Sequence, residues 1–396
     1  MPRFIRSNIP IITTFIMLFV LLLGALNSQN NLLFLVVGLV GAVATVSLLW
    51  SHLASRAIEF RRLDPQHGVV GQSMLIRYRI TNRSRWLPVF NLVIEETPDR
   101  GGATWPRFFP PARAWVMHLS PGESLHGDMV VWPALRGEVR FDRAVCWTHF
   151  PFGLVRRHCR ISQPGHTLVY PARYPLRPGL LRRIAPGGPL GHRLSTRTGG
   201  GEDYFGLREY RPGDSVRQIA WKRSATIDQL IIRERTKPSP PKLRIVLDLS
   251  RETESLAGDL KSTDDRTPRM LEEQAIALTA SIVAQGELDG YEVGLTVLGL
   301  PAPTTPLKRG HWHIEKIMST LASLDLDAER RPKNRVPEAE KAGLVVVHAG
   351  RVHPDRFTRD AWHISPLQIE HFVQPGTSTS PYRSTSTTPA AGGSRT

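Results

Sequence analysis

Leu243-Arg-Ile-Val-Leu-Asp-Leu249 is the stretch from which the fold of the C-terminal half is read. It reads as an apolar strand, interrupted by Arg244 and Asp248. A helix is predicted next, over Arg269 to Gln285: Thr267 can cap it, Pro268 suits its first turn and Gly286 ends it. Leu271, Ala275, Leu278 and Ile282 fall on one face of that helix. Tyr291 to Leu298 is a second strand. His311 to Leu324 is a second helix with Ile314, Ile317, Met318 and Leu321 on its inner side, and Gly343 to His348 is a third strand. Strand and helix in alternation predict an α/β, doubly wound parallel sheet.

Upstream lies a segment of different character, Gly-Glu-Asp-Tyr-Phe-Gly-Leu-Arg-Glu-Tyr-Arg-Pro-Gly-Asp-Ser-Val-Arg-Gln-Ile-Ala-Trp-Lys-Arg-Ser-Ala, from Gly201 to Ala225. Its glycines, Gly199 to Gly201, are followed by Glu202 and Asp203. No Gly-Lys-Ser/Thr follows and two carboxylates repel phosphate, so a phosphate-binding loop is excluded. Pro212-Gly213 marks a turn. Arg217 and Trp221 are four apart and would share a face on a helix. Leu230 to Arg235 resumes a strand.

This run resembles the signature of the bacterial domain-of-unknown-function fifty-eight family. Other features resemble the family too: Arg136-Gly137, Pro151-Phe152-Gly153-Leu154, Tyr170-Pro171, and the Asp-x-Ser strand end at Asp248 and Ser250. Ala220 and Thr226 depart from the family's habit of a polar residue before the Trp and an Arg after the Ser-Ala. The resemblance implies a von Willebrand factor A-like fold for the C-terminal part. It also implies partnership with a MoxR-type AAA+ ATPase that assembles or activates other protein complexes.

Between Ile58 and Tyr170 the pattern is short strands and turns. Ser73 to Ile80, Val89 to Glu95, Asp128 to Trp132, Val139 to Trp147 and Leu154 to Ile161 read as strands. Strands at this spacing predict a β-sandwich. Cys146 and Cys159 fall in neighbouring strands and read as free thiols; two cysteines make neither a disulfide framework nor a zinc pattern.

No Asp, Glu, Lys or Arg occurs from Ser7 to Ser51. Ile9 to Leu26 and Leu32 to Trp50 are each close to the roughly 20 residues that span a bilayer as a helix. The polar turn Asn27 to Asn31 joins them, giving a transmembrane hairpin. Arg3 and Arg6 precede the first span, and Arg56, Arg61 and Arg62 follow the second, so both ends are expected in the cytoplasm. The predicted order is therefore a hairpin (1–57), a β-rich sandwich-like domain (58–170), a linker (171–198), the signature with a von Willebrand factor A-like α/β domain (199–376) and a disordered Ser/Thr/Pro/Gly tail (377–396). The expected place is the inner, cytoplasmic membrane, with the soluble domains cytoplasmic.

The net charge of +16 suits a polyanionic neighbour such as anionic lipid. The arginines are spread along the chain and no nucleic-acid motif accompanies them, so no nucleic acid is expected. No catalytic motif is found, and the expectation is a non-enzyme. Glu202, Arg208, Glu209, Tyr210, Pro212, Gly213, Asp214, Arg217, Trp221 and Ser224 form either a partner-binding surface or a buried ion-pair network that locks the segment onto the sheet. In von Willebrand A domains a divalent cation is held by an Asp-x-Ser-x-Ser run. Here Asp248 and Ser250 are followed by Glu252, and the late strand ends at His348 without an Asp, so the magnesium set is degenerate. His311 and His313 are two apart on a helix, and His348 and His353 lack a clear partner set. The two functional readings are a membrane-anchored adaptor for a MoxR-type ATPase and a client complex, and a metal-dependent ligand-binding receptor.

Overall fold

The computed structural model describes residues 3–28, 30–98, 102–153, 157–184, 204–235, 240–260, 266–331, 342–353, 357 and 361–375. Glu202, the second half of the expected linker (185–198) and the expected tail lie outside these residues. Two compact units divide the chain, one up to Tyr170 and one from Pro171.

The first unit begins with helices α1 (Arg3–Ser28) and α2 (Asn31–Ala57). Both helices run into the expected Asn27 to Asn31 turn, α1 to Ser28 and α2 from Asn31. Asn30 caps α2, its Oδ1 accepting from the Leu32 amide at 2.9 Å. Large apolar side chains stand exposed around both helices, including Phe15, Phe19 and Leu23 on α1 and Leu32, Leu35 and Leu39 on α2. By length and composition α2 is able to cross a membrane, and Ile12–Ser28 is a shorter apolar stretch.

Ala57 leads straight into β1 (Ile58–Arg62), followed by β2 (Gly68–Val69), β3 (Met74–Asn82) and β4 (Val89–Thr97). Then come β5 (Arg113–Leu119), β6 (Ser124–Val131), β7 (Gly137–Thr148) and β8 (Arg157–Tyr170). They make a three-stranded sheet, β1-β3-β6, and a five-stranded sheet, β2-β8-β7-β4-β5. Alternation sets the faces: Met74, Ile76, Tyr78 and Ile80 are buried while Leu75, Arg77 and Arg79 are exposed.

A buried polar knot joins the two sheets. Arg62 forks onto Glu96 (Nε–Oε1 2.8 Å, Nη2–Oε2 3.0 Å), and the Tyr78 hydroxyl donates to Glu96 Oε1 at 2.6 Å. Burial pushes the Glu96 carboxyl up against the pull of Arg62 and Tyr78. Burial, and then the neighbouring Glu96 charge, push the Tyr78 phenol well up, so it stays a donor. Cys146 and Cys159 face each other across β7 and β8 as free thiols, and burial pushes both up.

The second unit holds α3 (Leu180–Ile184), the antiparallel pair β9 (Tyr204–Glu209) and β10 (Ile231–Arg235), and α4 (Trp221–Ile227) between those strands. Next come β11 (Lys242–Asp248), α5 (Pro268–Leu288), β12 (Glu292–Leu298), α6 (His311–Ala322), β13 (Gly343–His348), β14 (Trp362–Ile364) and α7 (Ile369–Phe372). The last four strands form a parallel sheet in the order β12-β11-β13-β14. Thr267 caps α5 by accepting from the Met270 amide. Gly286, expected to end this helix, sits inside it. A Cβ there would meet Val293 Cγ2 at 2.9 Å, so the glycine lets α5 press on β12; the helix runs to Leu288, with Gly290 at φ 76° beyond it.

Candidate functional site

The signature segment is a hairpin whose long connection is folded back on itself. Arg208, on β9, clamps Asp214 with two bonds of 2.7 Å, and Asp214 Oδ2 also accepts from the Arg211 amide at 2.9 Å. These bonds close the Arg211-Pro212-Gly213-Asp214 turn, where Gly213 takes φ 104°. The donation from Arg208, then that from the Arg211 amide, hold the Asp214 carboxyl down at about 2. Tyr210 and Glu209 stay in register with β10: the Tyr210 amide donates to Leu230 O at 2.8 Å, and Glu209 pairs with Ile231.

Arg217 and Trp221 do not share one helix. Arg217 lies in a single 3-10 turn, Val216–Gln218, and Trp221 opens α4. Between them the chain turns extended: Ile219 bridges Ile232, and the Ala220 amide donates to Ile231 O at 2.8 Å. Ile219 and Ala220 are buried, which overrides the helical spacing expected from sequence. Ser224 is also buried, and its Oγ accepts from the Ile231 amide at 2.9 Å.

What remains outside is an apolar and cationic surface. Trp221 is 60% exposed, and Val216, Ile227 and Leu230 also stand exposed, beside exposed Arg217. The Arg208–Asp214 pair is internal to the segment and half-buried. Sequence reasoning singled out Arg217 and Trp221 and passed over Val216, Ile227 and Leu230. Their signal was the presence of large apolar residues in an otherwise polar connection.

A second cluster lies at the C-terminal ends of β11 and β13, where parallel sheets hold ligands. Asp248 Oδ1 accepts from Ser250 Oγ at 2.5 Å and from its amide at 3.1 Å. His348 Nδ1 lies 3.2 Å from Asp248 Oδ2, and His348 Nε2 lies 2.9 Å from His363 Nδ1. Burial raises the Asp248 carboxyl, but the bonds from His348 and Ser250 outweigh it and leave it below the ordinary range. Burial, then the neighbouring His348, push His363 down.

These residues do not fit a magnesium ion. Both Asp248 oxygens already face protein donors, and an imidazole stands where a hard cation needs oxygen. Among the described residues no group of three or more His, Cys, Asp and Glu side chains is placed to hold a metal. Gly299, at φ 88°, packs directly on the Leu249 backbone, where a Cβ would collide. Of the helix histidines, His313 Nε2 lies 2.9 Å from Val293 O and His311 Nδ1 lies 3.6 Å from Glu287, on different partners.

Residues 206–353 match the family described as "Protein of unknown function DUF58", a span holding both clusters except Glu202 and His363. No curated protein matches the chain. Among solved structures, AggA, the major subunit of aggregative adherence fimbriae type I from Escherichia coli, is 14% identical. The match covers 28% of this chain and 93% of AggA, with a TM-score of 0.18. A beta-glucosidase from Kluyveromyces marxianus is 10% identical over 28% of this chain and 15% of its own, with a TM-score of 0.14. One from Paenibacillus barengoltzii is 12% identical over 62% of this chain and 25% of its own, with a TM-score of 0.16. The chain thus spans only a small part of either glucosidase, and likenesses this slight define no shared fold.

Proposed function

We propose that the chain is a membrane-anchored adaptor that engages a MoxR-type AAA+ ATPase through the signature surface and presents a client complex to it. The observation that carries this reading is the exposed set Val216, Arg217, Trp221, Ile227 and Leu230, mounted on a backbone held by Asp214 and Ser224. An exposed tryptophan and an exposed arginine in one connection are residue types enriched in interface anchors. A braced backbone lowers the ordering cost of binding. The DUF58 match supports the link to the ATPase class that the signature resemblance implies. The apolar helix pair supports the anchor, with both ends in the cytoplasm and a von Willebrand factor A-like unit on the cytoplasmic side of the inner membrane.

The test is co-purification from detergent-solubilised membranes with a tagged MoxR-type ATPase. The wild-type chain brings the ATPase down, and Trp221→Ala or Arg217→Glu loses it while keeping the far-UV spectrum of the wild type. Retention by both variants contradicts the assignment of the surface.

A further inference from the structure

The β-rich unit has two ends, and only one of them faces α2. The helix runs into β1 with no intervening residue, so the sheet begins where the helix stops. Pairing of Ile58 with Asn82, Ser124 with Thr81, Val89 with Leu119 and Leu92 with Thr148 brings three connections to that end. These are the Arg83–Pro88 turn, the Ser120–Glu123 turn and the loop that leaves β7 at His149. The Arg83 amide donates to Ala57 O at 2.8 Å, which fixes the first of these against the helix end.

The β7 loop reaches further, back along α2. Phe150 packs on Trp50 with ring centroids 5.6 Å apart, and on Phe90 at 4.6 Å. Trp50 lies seven residues before Ala57, which is about 10 Å along a helix. The 27 residues of α2 make about 40 Å, against a hydrocarbon core of about 30 Å. The surplus of about 10 Å puts Trp50 at the lipid boundary, where tryptophans collect. The loop touching Trp50 is thereby brought to the same depth.

What that loop shows outward is Phe152, 54% exposed, and the neighbouring turn shows Trp86, 88% exposed. The loop is held stiffly: Phe150 N donates to Thr148 Oγ1 at 3.1 Å and Gly153 N to His149 O at 2.7 Å. Arg56, Arg83 and Arg85 stand exposed at this end of the unit, and Glu59 and Glu123 are half-buried there. Glu59 is already paired with Arg83 and Arg61, and Glu123 accepts from the Ser120 amide. Exposed aromatics on connections at a membrane helix's end, with exposed arginines at the same end of the unit, match the chemistry of an anionic phospholipid surface.

We propose that Phe152 and Trp86 form a lipid-contact rim, by which the β-rich unit sits on the bilayer at the acyl-headgroup boundary. This rests on the membrane-anchor reading above and adds that the first folded unit itself touches lipid. The opposite end of the unit, with Gln72 in the turn after β2, faces away by the length of the strands.

The experiment uses the full chain reconstituted in phosphatidylcholine vesicles containing phosphatidylglycerol. Phe152→Cys, Trp86→Cys and Gln72→Cys are each labelled with an environment-sensitive fluorophore. Cys146 is buried and both native thiols are pushed up, so they label poorly, and the unsubstituted chain gives the background. Nitroxide on the upper acyl chain should quench the labels at positions 152 and 86 severalfold more than the label at 72, with blue-shifted emission. Two independent positions cover the case in which one substitution disturbs the fold. Equal quenching at all three positions, in a chain that floats with the vesicles after a carbonate wash, overturns the rim and leaves the anchor standing. A chain that fails to float overturns the anchor and the rim with it.

Discussion

Arg62 grips Glu96 in the β-rich unit, and Arg208 grips Asp214 in the signature segment, with the same forked geometry. The first pair is 2% and 1% exposed; the second is 33% and 22% exposed. That difference decides their work. The buried pair has no water to fall back on, so Glu96 depends on Arg62 and Tyr78, and Arg62 on Glu96 and the Gln163 carbonyl. It ties two sheets together. The half-buried pair can exchange its bonds for water at little cost. It sets the course of a surface connection, so that Val216, Arg217 and Trp221 project beyond it.

The largest effect is expected where the comparison is broken on its buried side. Glu96→Ala strands Arg62 inside the protein and should cost about 3–5 kcal/mol, read as a lowered urea midpoint of the full chain in detergent. Replacing both partners with apolar residues should recover much of that loss. Next is Ser224→Ala, which leaves the buried Ile231 amide without its acceptor and should cost about 1–3 kcal/mol, measured the same way.

Acid sharpens the contrast. The Asp214 carboxyl is held at about 2, below its ordinary value of about 3.9. A depressed acid contributes fully above its unfolded value and loses that contribution as pH falls through the folded one. Amide-exchange protection of Arg211 should therefore hold at neutral pH and fade only between about 4 and 2. Asp214→Asn should weaken that protection at neutral pH as well. The smallest effect on stability is expected for Trp221→Ala, within about 0.5 kcal/mol of wild type, because its side chain is largely in water.

The legible parts of the fold were those written in local pattern. The parallel strands from Leu243, Glu292 and Gly343 are apolar runs, and Thr267-Pro268 announces α5. β5 escaped notice although Ala114 and Val116 alternate with exposed Arg113, Trp115 and Met117; its polar positions carry large apolar groups that blur the period. Gly286 misled because a glycine that admits a neighbouring strand looks like one that ends a helix. The polar partnerships were hidden by distance along the chain: 34 residues separate Arg62 from Glu96, and His348 finds Asp248 across the sheet. Within the signature the important residue types were visible, but their exposure was not. Whether Trp221 faces water depends on Ile219 turning inward to meet Ile232.

The most direct test of the adaptor reading is the affinity of a purified MoxR-type ATPase for the reconstituted chain, measured by biolayer interferometry. Trp221→Ala is compared with wild type and with Trp312→Ala, which removes an equally large side chain, 83% exposed on α6 of the same unit. The account predicts binding by wild type and Trp312→Ala, and a loss of about tenfold or more, 1.4 kcal/mol or greater, for Trp221→Ala. Equal binding by all three chains, or an equal loss at both tryptophans, would contradict it.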